Sequence, residues 1–150
     1  MKIEWLILCE GIGTNANGAI TAISINQNLV FPPALPIQLK RALIAHISDE
    51  GDSLQPGASV ELAIVITSPS GAELAKVAAK LAVNDRLVTD FPGTLDFPFE
   101  SILTISQYGT YSVRIELLDN GGLLDEATVD FHVLEKRPPT VGSAHGPNTD

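Results

Sequence analysis

Two groups of oxygen-bearing side chains are the first candidates for chemistry in this chain. Asp49, Glu50 and Asp52 fall in one polar stretch, and Asp119, Asn120, Asp125 and Glu126 surround another. Carboxylate oxygens gathered at loop tips are hard ligands of the kind that suits Ca²⁺. Neither group has EF-hand spacing, so Asp49, Glu50, Asp52, Asp119 and Asp125 compete with a plainer reading as solvated acidic loops. The histidines, His46, His132 and His145, are too far apart to make a local metal pair, and there is no cysteine pair. His46 and His132 each sit on the polar side of an alternating stretch, as exposed strand histidines do. Cys9 follows Leu6-Ile7-Leu8, where a thiol reads as a small buried hydrophobe rather than a nucleophile. Gly11-Ile12-Gly13 lacks the further glycine and the helix of a phosphate-binding loop. A small hydrolase or ligand-binding protein would have to assemble its site from distant loops. It would need a concave pocket joining at least two of Asp49, Asp52, Asp125 and His132. No cofactor is implied.

The elements that position these residues are strands. In residues 108–134, Tyr111, Val113, Ile115 and Leu117 alternate with Ser112, Arg114 and Glu116. After Asp119-Asn120-Gly121-Gly122 the pattern resumes, with Ala127, Val129, Phe131 and Val133 against polar neighbours. Period-two alternation on both sides of an Asn-Gly turn predicts an antiparallel hairpin with one buried face.

Upstream, strands are predicted over residues 3–10, 19–27, 40–48 and 59–67, the first two paired as a hairpin. Residues 28–36 carry Pro32, Pro33 and Pro36, so they read as an extended link between sheets. Residues 74–83 fit both a two-turn helix and a strand. The tight turn at Ser68-Pro69-Ser70-Gly71 favours a returning strand. Phe97, Phe99, Leu103 and Ile105 make another extended stretch, broken by Pro98. About seven or eight strands with regular turn signals predict an all-β, two-sheet antiparallel β-sandwich of the immunoglobulin or fibronectin type. The domain is expected over residues 1–135, with a disordered tail over 136–150.

Composition narrows the function classes. The chain has 150 residues, enough to bury roughly 70% of the unfolded surface in one domain. Its hydrophobic content is 45% but its aromatic content only 5%, which suits an aliphatic core rather than an aromatic-lined groove. The net charge of −9 disfavours nucleic acid and anionic membranes as partners. One cysteine excludes an internal disulfide and fits a reducing compartment, so a cytoplasmic location is expected. The apolar run Trp5-Leu6-Ile7-Leu8-Cys9 is too short for a secretory segment and reads as a first strand.

Three sets of residues carry a resemblance. Gly109-x-Tyr111-x-Val113-x-Ile115 with Val129, Phe131 and Val133 resembles the last two strands of bacterial immunoglobulin-like and fibronectin-like domains. The run Trp5 to Gly11, followed by Gly18-Ala19-Ile20-Thr21-Ala22-Ile23, resembles an uncharacterised bacterial family of short all-β proteins, as do Phe31-Pro32 and Leu35-Pro36. The resemblance covers most of residues 3–134 and implies architecture, with no catalytic residue to carry over. The expected function is a non-enzymatic binding or assembly module that acts through strand edges or loops. Its expected partner is another protein or a second copy of itself.

Overall fold

The computed structural model describes residues 1–16, 19–25, 28–49, 51, 54, 57–82 and 93–136. The strands are β1 (Lys2–Cys9), β2 (Gly11–Thr14), β3 (Ile20–Ile23), β4 (Leu29–Val30), β5 (Ile37–Asp49), β6 (Ser59–Thr67), β7 (Glu73–Ala82), β8 (Gly93–Ile105), β9 (Gly109–Asp119) and β10 (Gly122–Val133). There is no α-helix among the described residues. The predicted disordered tail falls almost wholly outside them.

The β9–β10 hairpin forms as its alternation predicts. Tyr111 lies opposite Phe131, Val113 opposite Val129 and Ile115 opposite Ala127. Asn120 and Gly121 both adopt positive φ, 48° and 80°, so the turn twists with its strands. Tyr111, Val113, Ile115 and Leu117 point into the core.

That hairpin is the middle of a five-stranded sheet, ordered β4-β10-β9-β6-β7. A three-stranded sheet, β1-β5-β8, packs against it. Leu43, Ala45 and Ile47 of β5 and Leu103 and Ile105 of β8 meet Leu62, Ile64 and Ile66 of β6 and the β9 face. Both sheets are lined by branched aliphatics, the packing expected of a sandwich interior. The layering is immunoglobulin-like, and a tyrosine corner supports it: the Tyr111 hydroxyl donates to the Gln107 carbonyl at 3.0 Å. Where antibody domains place a disulfide cysteine two residues on, this chain has buried Val113.

Several expectations need correction. The described residues form ten strands, two beyond the upper estimate, and include a third, two-stranded sheet made of β2 and β3. The predicted pairing of the first two strands is wrong: β1 pairs with β5, with Leu8 opposite Leu43. The chain bends at Glu10, and only the short β2 pairs with β3, Gly11 opposite Ile23. The sandwich is not purely antiparallel, because β4 runs parallel to β10. The proline link does carry the chain between sheets, from β4 to β5. Pro98 does not break β8. It lies opposite Ile44 on a strand paired on one side only, where a proline is tolerated. Residues 73–82 are strand, as the preceding turn favoured.

Candidate functional site

Of the acidic candidates, Asp49 and Asp125 each bind main-chain nitrogen. Asp49 is buried. Its Oδ1 takes the amino group of Met1 at 2.9 Å and its Oδ2 accepts from the Leu54 amide at 3.2 Å. Asp125 Oδ2 accepts from the Ile3 amide at 2.8 Å and so ties β1 to β10 across the two sheets. Asp119 accepts from the Asn120 side chain at 3.0 Å at the hairpin tip. Glu50 and Asp52 lie outside the described residues. Among the described residues, no three His, Cys, Asp or Glu side chains are grouped to hold a metal ion.

The site that would join Asp49, Asp52, Asp125 and His132 is not assembled by its described members. His132 is seven positions along β10 from Asp125, roughly 23 Å at strand spacing. Its Nδ1 lies 2.9 Å from the Thr110 hydroxyl, opposite it in register. A depression of about 210 Å³ near Asp49 is lined by Met1, Lys2, Glu4, Ser48 and Gly51, and neither Asp125 nor His132 reaches it. Cys9 is buried. Its Sγ lies 3.4 Å from the Gly11 carbonyl, and burial pushes its pKa up, away from nucleophilic character.

One polar constellation was not legible in the sequence. On the outer face of the three-stranded sheet, Trp5, His46 and Asp96 stand side by side on β1, β5 and β8. The indole and imidazole stack at 4.8 Å and 4°, and His46 Nδ1 lies 2.6 Å from Asp96 Oδ1. In the next row the Ser48 hydroxyl donates to Glu4 Oε1 at 2.6 Å and, with Lys2, holds the Glu4 carboxyl below its ordinary range. An imidazole–carboxylate pair could move a proton. The Ser48 hydroxyl, two positions along β5, is committed to Glu4 rather than to the imidazole. These residues lie far apart in sequence, and only the β1-β5-β8 register joins them.

The sheet edges differ more sharply from one another than any of the polar groups. A natural sheet edge is usually blunted, because a row of unpaired N–H and C=O groups recruits other strands. β1 is interrupted by a register shift between Ile3 and Trp5, and Asp125 occupies the Ile3 amide. β8 carries Pro98, and its Glu100 accepts from the Ile12 amide at 3.0 Å, which holds the β2–β3 hairpin against it. β4 is only two residues long. β7 is different. It pairs with β6 without interruption from Ala82 opposite Ser59 to Ala75 opposite Ile66, and it contains no proline. Among the described residues nothing pairs with its other side. Ala75, Ala79 and Leu81 contribute to the core, but inward-facing Val77 is 38% exposed and Leu74 43%. A three-stranded sheet cannot roof a five-stranded one, so the outermost strand is left half covered.

Comparison with known proteins agrees with this architecture. No family model matches the chain, and no curated protein matches it. Among solved structures, a candidate β-galactosidase from Bacteroides fragilis superposes at a TM-score of 0.52 with 18% identity. The match covers 68% of this chain but only 15% of that one. A glycosyl hydrolase family 2 member from Bacteroides cellulosilyticus gives 0.48 and 12% identity, over 67% of this chain and 13% of its own. The chain is an all-β domain that resembles part of a β-galactosidase-like enzyme. The likeness is one of fold.

Proposed function

We propose that this chain is a non-enzymatic binding or assembly module that accepts an extended strand on the side of β7 facing away from β6. We place it among the short bacterial all-β proteins that its strand and turn motifs resemble. The observation that carries the reading is the contrast between edges. β1, β8 and β4 are each interrupted near the middle, occupied or short, whereas β7 offers a regular ladder from Ala75 to Ala82, its one register shift lying at the Thr67 end, with half-covered apolar side chains. Strand addition takes affinity from main-chain hydrogen bonds and selectivity from alternate side chains. Alanines at positions 75, 78, 79 and 82 leave room beside the backbone for an incoming chain.

The test is amide hydrogen exchange on the full chain, over a protein concentration series and with strand-forming peptides added. Outward-pointing β7 amides gain protection as the edge is filled. Exchange of those amides at an unchanged rate under every condition would remove the proposal.

A further inference from the structure

Arg41 is a buried cation that no carboxylate among the described residues neutralises by contact. We infer that Arg41, with Ser101 beside it, forms a binding site between the two sheets for a single small anion of the size and charge of chloride. The inference is independent of strand addition at β7.

Arg41 lies on the core side of β5, in line with Leu39 and Leu43, and is only 6% exposed. A guanidinium has five N–H donors and no acceptor. Among the described residues it finds one acceptor, the Lys40 carbonyl, 3.4 Å from Nη1, and its buried Nε finds none. Glu10 acts on it only from beyond ion-pair distance. Glu100 is paired with Lys40 at 3.1 Å on the opposite side of the sheet. The Phe131 ring face, 5.6 Å from Cζ, offsets only part of the cost of burying a full charge. Arginine does not shed its proton to escape that cost, so a counter-ion is what the site lacks in its own side chains.

A cavity beside the guanidinium matches this need. Its polar wall is Arg41 and Ser101, and the rest is hydrocarbon, with Leu8 and Phe99 from one sheet and Ile66 and Val113 from the other. Ser101 lies directly opposite Arg41 in the β5–β8 ladder, so both side chains leave the sheet on the same side. The space for the centre of a water-sized sphere is about 10 Å³, enough for one particle and too little for sulfate or phosphate.

Water and a halide make different demands on these walls. Water accepts hydrogen bonds but must also place two donors, and the lining side chains offer only the Ser101 oxygen to receive them. A halide accepts from the guanidinium and the hydroxyl, has nothing to donate, and cancels the buried charge. The net charge of −9 opposes this weakly, because exposed charges are screened beyond about 10 Å at 0.1 M salt while the guanidinium is in contact.

Chloride titration of the full chain at constant ionic strength, with gluconate as the replaced anion, tests the site. The Arg41 Nε–H resonance should shift and saturate with chloride, and gluconate, too large for the cavity, should leave it in place. The melting temperature should rise over the same chloride range, because an anion held only by the folded chain stabilises it by mass action. Ser101→Ala should weaken binding roughly tenfold, the loss of one hydrogen bond to a charge. Arg41→Met should remove the chloride dependence of melting. Diffraction from parent crystals grown in bromide needs no variant, and should place an anomalous peak between Arg41 and Ser101. A cavity without that peak overturns the inference. So does an equal shift with chloride and gluconate, or a long-lived water beside Nε–H that chloride does not displace.

Discussion

The Tyr111 ring lies on the Phe131 ring at 5.1 Å and 12°, directly across the β9–β10 ladder. The stack sits at the base of the sandwich core, and the Tyr111 hydroxyl is anchored twice at Gln107, donating to its carbonyl and accepting from its amide. Tyr111→Phe keeps the ring and leaves the Gln107 groups to water. It is expected to cost about 1–2 kcal/mol by urea denaturation, with no change in fold. A loss well below that would mean the corner is ornamental.

Arg41 extends over the Phe131 ring, 5.6 Å from its centre, and is only 6% exposed. Burial lowers its pKa, with Glu10 opposing the shift, and its Nε has no protein partner. An incompletely paired buried cation is poor value for stability, so Arg41→Met should be neutral or raise stability by up to ~2 kcal/mol. Arg41→Ala should lower it by about 2 kcal/mol, because the stem that packs on Phe131 is lost as well. Thermal melts of the two variants that move in the same direction would contradict this account.

Glu100 gives the β2–β3 hairpin a pH dependence. The Ile12 amide and then Lys40 hold its carboxyl below the ordinary value of 4.5. A lowered folded pKa means the stabilisation is complete above that ordinary value and is lost as pH falls through the lowered one. The Ile12 amide should therefore lose exchange protection in that acidic window, ahead of amides in β5 and β9. Glu100→Gln should flatten the dependence, and NMR-detected exchange reads both.

Trp5 is the single tryptophan and reports on His46. The stacked imidazole covers one face of the indole. His46→Gln removes that cover and should change both the intensity of Trp5 emission and its accessibility to acrylamide quenching. Unchanged emission and quenching in that variant would mean the stack does not persist in solution.

Much of this architecture was legible because alternation and turn chemistry agree locally. Residues 59–67 form β6 as predicted, and Asn120-Gly121 forms the turn that its φ values require. What was not legible is pairing between strands distant in sequence. Apolar run length cannot show that β1 leaves β3 for β5, because Leu8 and Cys9 suit either neighbour. Nor can it show that Leu29 and Val30 join β10, since two residues carry no period. The Trp5–His46–Asp96 row was missed for the same reason, as each residue looked like an ordinary exposed position on its own strand. The acidic residues were misleading in a different way. Asp49 and Asp125 look like ligand-bearing loop tips, but they satisfy backbone amides of Leu54 and Ile3.

Pro98 bears on what strand addition at β7, as proposed, could lead to. A body with two receptive flanks polymerises, each newcomer presenting a fresh landing place for the next. Here the β8 flank is closed to a newcomer by the proline and by the hairpin that Glu100 holds there. Pro98→Val restores the missing donor, and Glu100→Gln beside it loosens the hairpin. Raising the concentration of that double variant should then yield thioflavin-positive filaments that the parent chain does not form.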